Sequence, residues 1–330
     1  MINPRDCKQG LPMRFLSLPL LPLVLAACSP DLDLTPPGSQ AVPLYDQSPE
    51  RTDLDRLSYL GGVTLTNPDE RFGGFSALTL SPDGSRLLAV SDSAYWMTAN
   101  IGWNETDGSL SVGAFSISPI LSRSGDPLDG RAADSEAIAD LGGGVHAVSF
   151  EREHRINTYA LGEDWSRLDS VGEAFPAPPG ADDFVDNGGM EGLTSLPDGA
   201  LLAGIEGGSD GVHPLWLHRD GSWARSELAA APDYGLTALD YHDGHVYALE
   251  RFWQSGIGNR IRILRFPAAA LDTGGRIEPD LLGTLEAGKA VDNFEGLAIT
   301  ERGDHTVLLV MSDDNYSRSQ RTLLLAFQLD

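Results

Sequence analysis

A short motif decides the fold: Met190-Glu191-Gly192-Leu193, then Leu196-Pro197-Asp198-Gly199, then Ile205-Glu206. It reads as a strand, an Asp-Gly turn and a second strand that ends in a carboxylate. The motif occurs five times, and each copy has a central Leu or Ile that serves as its marker: Leu78, Ile138, Leu193, Leu239 and Leu297. Successive markers are separated by 60, 55, 46 and 58 residues. A repeat of roughly 40–50 residues with several short strands is typical of a β-propeller.

We therefore expect an all-β chain folded as one β-propeller domain over residues 57–330. Four strands per blade over this length favour six blades, with five or seven as the alternatives. Residues 57–72 precede the first motif, and Thr322 to Leu329 follow the last one. Strands from these two segments are expected to share a blade, because that arrangement removes the open edges of the sheet.

The first residues read as a targeting segment. Arg14 is followed by a short apolar run and then by Leu25-Ala26-Ala27-Cys28. A positive residue, a short apolar run and small residues are typical of a signal peptide, here 1–27. The cysteine after Leu-Ala-Ala resembles the bacterial lipobox, which implies lipidation of Cys28 and an outer-membrane position facing the periplasm. Residues 28–56 are rich in Pro, Asp and Ser and predict a flexible tether.

The charge balance limits the partners. Lys and Arg total 23 while Asp and Glu total 48, which gives a net charge of −25. Nucleic acid is excluded as a partner, because binding to phosphate backbones needs clustered positive charge. We expect a monomer that touches the membrane only through its lipid.

Equivalent residues of the five motifs are expected to form rings around the propeller axis. Glu136, Glu191 and Glu295 share one position, with Ser76 and Thr237 in the other two motifs. A second position holds acids in all five: Asp92, Glu151, Glu206, Glu250 and Asp313. Rings of like charge raise one another's pKa unless a cation is present, and Ca²⁺ prefers such oxygen ligands. The alternative is that these acids cap strand ends or pair with arginines.

These rings supply the candidate site residues. We assign the metal to Asp92, Glu151, Glu206, Glu250, Asp313 and Asp314, and catalysis to Glu136, Glu191, Glu295 or His154. His154 is a candidate general base, with a hydrogen-bonding role as the alternative. The candidate substrate-binding residues are Arg152, Arg155, Arg251 and Arg321. Arginine binds phosphate through paired hydrogen bonds, although each of these could instead neutralise a neighbouring acid.

Several stretches together resemble the phytase-like domain family, described as having the esterase-like activity of phytases. The resemblance runs over about 72–329 and rests on Gly73 to Leu78, Asp134 to Ile138, Asn187 to Leu193 and Asp292 to Leu297, with the acidic segments that follow them. It implies a Ca²⁺-assisted phosphoric ester hydrolase acting on a small phosphorylated molecule. The sequence departs from the family pattern at 93–98, where we expect Arg-Gly after Ser91-Asp92. Two alternatives remain: a non-catalytic propeller that binds a ligand or protein, and a lactonase-like propeller with one divalent ion.

Overall fold

The computed structural model describes residues 38–104, 108–207 and 210–330. The predicted signal peptide and Cys28 lie outside these residues. Within them, no helix is both long and apolar enough to cross a membrane. Three short 3-10 helices occur among the strands, at Gly130–Ala132, Ala181–Asp183 and Ala268–Thr273.

Five antiparallel sheets form the five blades of a propeller, each listed here from its inner strand outwards. The first blade contains Phe75–Leu80, Arg86–Ser91, Tyr95–Trp103 and Leu110–Pro119. The second contains Ser135–Asp140, Val145–Phe150, Arg155–Ala160 and Glu173–Phe175. The third contains Met190–Ser195, Leu201–Ile205, Val212–Arg219 and Ser222–Ala229, with Arg276–Ile277 added in parallel. The fourth contains Gly235–His242, His245–Gln254, Gly258–Pro267 and Asp280–Leu285.

The fifth blade joins the two ends of the described chain. Its order is Asn293–Arg302, His305–Asp313, Thr322–Leu329, Leu57–Thr66 and Gly38–Ala41, and Asp53–Leu54 also pairs with Leu57–Thr66. The prediction that both ends share a blade is therefore confirmed. Residues 38–56, part of the predicted tether, pack onto this blade, so the folded domain begins before Leu57.

The blade number is five, the lower alternative to the six that strand counting favoured. Each of the five inner strands contacts the next one in cyclic order, and the fifth contacts the first. The apolar core is divided in the same way, because each of its five clusters lies between two neighbouring blades. The strand at Leu57–Thr66 pairs with Thr322–Leu329 and so adds to the fifth blade.

The glycine that follows two of the three ring glutamates, Glu191 and Glu295, lets the inner strands approach closely. A Cβ on Gly192 would lie 2.7 Å from Cγ of Leu239, the marker of the next blade. A Cβ on Gly296 would lie 2.5 Å from Cδ2 of Leu78. Real Cβ atoms do not tolerate such contacts in a packed interior, so the Glu-Gly-Leu sequence is a packing requirement of the narrow axis.

Candidate functional site

Every inner strand carries a β-bulge at the same place. The pairing with the second strand skips one residue in each blade, and these five residues form the inner ring: Ser76, Glu136, Glu191, Thr237 and Glu295. A bulge bends the strand and changes the direction of its side chain, which explains how a strand otherwise packed in the core presents a carboxylate. The predicted equivalence of Glu136, Glu191 and Glu295 is thus what the strand register shows.

The two members without a carboxylate hold neighbouring blades together. The Ser76 hydroxyl donates to the carbonyl of Ser135 at 2.5 Å, and the Thr237 hydroxyl donates to that of Phe294 at 3.1 Å. Both hydroxyls are buried and bond backbone atoms of the adjacent inner strand. The charged part of the inner ring is therefore confined to the second, third and fifth blades.

The second ring differs from the sequence alignment in one blade. In every blade, the marker residue of the first strand pairs with a residue of the second strand. The member of the second ring lies three positions after that paired residue along the chain. These members are Asp92, Glu151, Glu206, Arg251 and Asp313. Arg251 therefore occupies the position that we assigned to Glu250. The ring holds four acids and one guanidinium, and Glu250 is excluded from it.

Glu250 is instead the centre of a buried polar network. Its side chain is fully buried and accepts from His213 Nε2 at 3.0 Å, Arg262 at 2.5 Å and the Ala231 amide at 3.3 Å. The other ring nitrogen of His213 lies 2.6 Å from the carbonyl oxygen of Glu206. This network supports the backbone beneath Glu206 and leaves Glu250 without a free ligand oxygen for a metal in the cavity.

Three other candidates also lie outside the axial cavity. Asp314 accepts from the amides of Gly74 and Tyr316, both at 3.0 Å, and from the Thr322 hydroxyl at 2.9 Å, so it orders a loop. His154 faces the carbonyl of Val185 at 3.0 Å and packs on Phe184. Arg155 bonds backbone carbonyls of Glu153 and Ala132 and lies over the Phe150 ring. The structure gives all three residues structural partners.

The remaining candidates converge on one cavity of about 900 Å³ on the axis, which we call the axial cavity. Nine carboxylates line it: Asp92, Asp134, Glu136, Glu151, Glu191, Glu206, Asp292, Glu295 and Asp313. Three guanidinium groups face them, those of Arg152, Arg251 and Arg321. The acids outnumber the bases threefold, so most carboxylates in this cavity have no cationic partner.

The sequence did not single out Asp134 as a ligand, although it precedes the second motif directly. Oxygen atoms of Asp134, Glu136 and Glu151 can all lie within 4.8 Å of one another. Nε of Arg152 lies 2.6 Å from Asp134 Oδ2, which offsets part of the charge. Arg152 has a φ of +55°, a left-handed conformation that is uncommon for a residue other than glycine. The strained residue holds the guanidinium at the edge of the acidic group.

The other two arginines pair more loosely. Arg251 lies 3.5 Å from Glu295, and Arg321 lies 3.5 Å from Asp292. Asn293 bridges two ring members, because its amide nitrogen donates to Glu295 at 2.9 Å and to Asp313 at 3.2 Å. These contacts leave guanidinium nitrogens facing the cavity, where an anionic group could bind.

Burial is the largest cause of the shifted pKa values in both rings. It raises the pKa of Asp92 to about 6 and that of Glu151 to about 7, with neighbouring Asp134 adding to both. The pKa of Asp313 rises to about 8 through burial and then through the charge of Glu295. Burial, followed by repulsion from other ring members, holds the pKa values of Glu136 and Glu191 well above the usual value. A divalent cation would relieve all of these penalties together.

A family model described as "Phytase-like: Esterase-like activity of phytase" matches residues 70–316. No curated protein matches the sequence. Solved structures with a similar fold include the phage phi92 endosialidase, at 8% identity and a TM-score of 0.42. That match covers 91% of this chain, which spans 59% of the endosialidase chain. The RS223 β-xylosidase matches at 13% identity and a TM-score of 0.47, with 82% of this chain and 94% of that chain covered. With its five motifs arranged around one acidic cavity, the chain belongs to the phytase-like family.

Proposed function

We propose that this protein is a calcium-dependent phosphoric ester hydrolase that acts on a small phosphorylated molecule. The observation that carries the proposal is the convergence of nine carboxylates and three guanidinium groups on the axial cavity. A phosphate anion would be repelled by the acids alone, so its binding requires added positive charge. The three arginines favour a phosphate over the uncharged lactone of the alternative enzyme class, because guanidinium pairs with phosphate oxygens.

The residues of the cavity fit calcium. Carboxylate and amide oxygens are the hard ligands that calcium prefers, and the cavity holds acids whose charge the protein leaves uncompensated. Asp134, Glu136 and Glu151 are one ligand group, while Glu295 and Asp313, held by Asn293, offer a second. Bound calcium would supply the positive charge that offsets the carboxylates and polarises phosphate oxygens.

The chain's own residues would orient the ester. Arg152, Arg251 and Arg321 bind its phosphate oxygens from the rim, where their paired acids leave donors free. Glu191 belongs to neither ligand group, and burial and the charges of neighbouring ring acids raise its pKa, so it is suited to exchanging a proton with the ester or an attacking water. The buried network around Glu250 supports the backbone of Glu206, which belongs to neither proposed ligand group.

Hydrolysis of 4-nitrophenyl phosphate and bis(4-nitrophenyl) phosphate tests the proposal. We expect turnover with Ca²⁺ and its loss in chelator. Arg251→Gln should lower kcat/KM roughly tenfold to a hundredfold, because a hydrogen bond to a charged group contributes about 1.5–3 kcal/mol. Arg225→Gln, on the exposed Arg225–Glu227 pair of the third blade, is the matched control and should leave kcat/KM unchanged. A protein that retains calcium yet hydrolyses neither ester would support the non-catalytic ligand-binding propeller.

We also propose that Cys28 carries lipid and anchors the protein in the outer membrane, facing the periplasm. Cys28→Ser should move the protein from the detergent phase to the aqueous phase, because acyl chains contribute about 0.8 kcal/mol per buried CH₂. Phase partitioning of the full chain checks this. Should the Cys28→Ser protein remain in the detergent phase, the anchor proposal is wrong.

A further inference from the structure

The described chain begins on the same side of the propeller as the mouth of the axial cavity. Gly38 pairs with Thr66, and Leu65 pairs with Thr322 on the other side of the same strand. Arg321, directly before Thr322, lines the cavity. We call the side of the propeller on which Gly38, Thr322 and Arg321 lie the cavity face. The chain that comes from Cys28 therefore enters the domain at the cavity face.

The length of chain before Gly38 limits how the domain can be turned towards a membrane that holds Cys28. Nine residues, 29–37, separate Cys28 from Gly38. Such a chain reaches at most about 35 Å when it is fully extended. The strand Leu57–Thr66, which pairs with Gly38–Ala41, has 10 residues and is therefore roughly 33 Å long. If the cavity face pointed away from the membrane, passing this blade would use almost the whole reach.

Apolar and aromatic side chains are concentrated at the cavity face. Six large hydrophobic side chains are exposed among the described residues. Four of them neighbour cavity-lining residues in the sequence or line the cavity themselves: Val185 (68% exposed), Trp253 (62%), Ile257 (44%) and Tyr316 (43%). They belong to the connection between the second and third blades, to the hairpin of the fourth blade and to a loop of the fifth. Exposed apolar groups gathered on one side of a domain indicate a contact surface.

A lipid surface fits this set of side chains. Trp and Tyr are enriched where a membrane meets water, because their rings combine an apolar body with a polar group. The net charge of −25 gives the chain no attraction to an anionic surface, so the contact would rely on apolar side chains. An anchored domain also stays close to the bilayer, and the resulting high effective concentration makes a weak contact sufficient.

We propose that the cavity face rests on the membrane that holds the anchor, with Val185, Trp253, Ile257 and Tyr316 among the lipid headgroups. The mouth of the axial cavity is then turned towards the bilayer, so a ligand enters from the layer of water beside the headgroups. The inference rests on the proposed lipid anchor and is independent of the proposed hydrolysis.

Site-specific labels test the orientation. Cys7 and Cys28 are the only cysteines of the chain, so an introduced cysteine is the sole free thiol of a lipidated Cys7→Ser protein. Full chains with Val185→Cys or Ile257→Cys are labelled with a nitrobenzoxadiazole fluorophore in phosphatidylcholine vesicles that contain spin-labelled lipid. We expect both labels to lose emission through contact with the lipid. Asp304→Cys is the control, because it lies in the hairpin turn at the opposite end of the fifth blade, and its label should keep its emission.

The contact itself is tested without the anchor. The full Cys28→Ser chain is titrated with phosphatidylcholine vesicles, and we expect weak binding that high salt does not reduce. Adding Val185→Ser and Ile257→Ser should weaken this binding about tenfold, because two apolar side chains no longer gain from burial. Leu281→Ser is the matched control, since Leu281 is exposed on the outer strand Asp280–Leu285 of the fourth blade, and it should leave binding unchanged.

The outcomes separate this inference from the anchor. Vesicle binding that depends on Val185 and Ile257, by a wild type found in the aqueous phase, supports the cavity face as the membrane-binding surface and removes the anchor alone. Loss of emission at Asp304 in place of the other two positions overturns the inference and leaves the anchor, and so does unchanged emission at all three. Label emission that changes with protein concentration in the absence of vesicles would also overturn it, since the cavity face would then contact a second copy of the chain.

Discussion

Replacing Glu250 with alanine should destabilise the fold by about 3–5 kcal/mol, the usual cost of leaving the partner of a buried charged pair unpaired. The variant removes the acceptor of His213 and Arg262, and His213 is fully buried. Since 1 kcal/mol shifts the melting temperature of a domain this large by roughly 2 °C, we expect a fall of roughly 6–10 °C. Thermal unfolding followed by circular dichroism in chelator measures it.

An exposed ion pair provides the control for this prediction. Arg225→Ala removes the surface pair with Glu227 and should cost less than about 1 kcal/mol. The shift that calcium causes in the melting temperature should be the same for Glu250→Ala as for the wild type, because Glu250 lies outside the axial cavity. Loss of the calcium effect in this variant would return Glu250 to the metal ligands and contradict the corrected ring.

Calcium should raise the melting temperature of the wild type by roughly 5 °C over chelator. A bound ion contributes about 2.7 kcal/mol at a hundredfold excess over its dissociation constant. The variant Glu151→Gln with Asp313→Asn removes one member from each proposed ligand group and should lose most of this difference. Glu173→Gln, on the exposed outer strand of the second blade, is the matched control. Equal calcium shifts in all three proteins would contradict a calcium site in the cavity.

The same experiment has a defined pH dependence. The ring acids have raised pKa values in the folded chain: about 6 for Asp92, about 7 for Glu151 and about 8 for Asp313. The folded state therefore binds more protons than the unfolded state, whose Asp and Glu titrate near 4. In chelator, their contribution to stability is fully present below about pH 4 and is lost as pH rises through 6–8. The calcium shift should grow over the same range, and the double variant should show a shallower pH slope.

The repeats made much of the fold and the inner ring predictable, because in every motif the bulge residue is followed by Ala or Gly and then by Leu or Ile. The error at Glu250 has a physical cause. Leu249-Glu250-Arg251 resembles Phe150-Glu151-Arg152 in sequence. The strand register, however, pairs Glu250 with Leu236 and Phe150 with Ser135, each directly before the bulge. Glu250 is therefore equivalent to Phe150 and not to Glu151. The loop that joins the first and second strands differs in length from blade to blade. Similar residues in two blades therefore need not occupy equivalent positions in the strand register.

The part of the axial cavity lined by Trp253 and Asn259 was not predictable from the motifs. Trp253 and Asn259 lie on a hairpin whose position over the axis depends on packing between the fourth and fifth blades. The sequence left five, six or seven blades open, because the number of strands in each blade is set by strand pairing that the motifs do not show. Asp134 could have been found, because it stands directly before Ser135-Glu136 in the second motif.

The shared fifth blade has a consequence for how the protein is made. Leu57–Thr66 lies between Thr322–Leu329 and Gly38–Ala41, so the circle cannot close until a strand near the end of the chain has left the ribosome. Until then, the growing chain exposes unpaired strand edges and the apolar faces between blades, which favour aggregation. Contacts between residues so distant in sequence also make folding slow. The chain is therefore open to aggregation until both strands of the shared blade are available to pair.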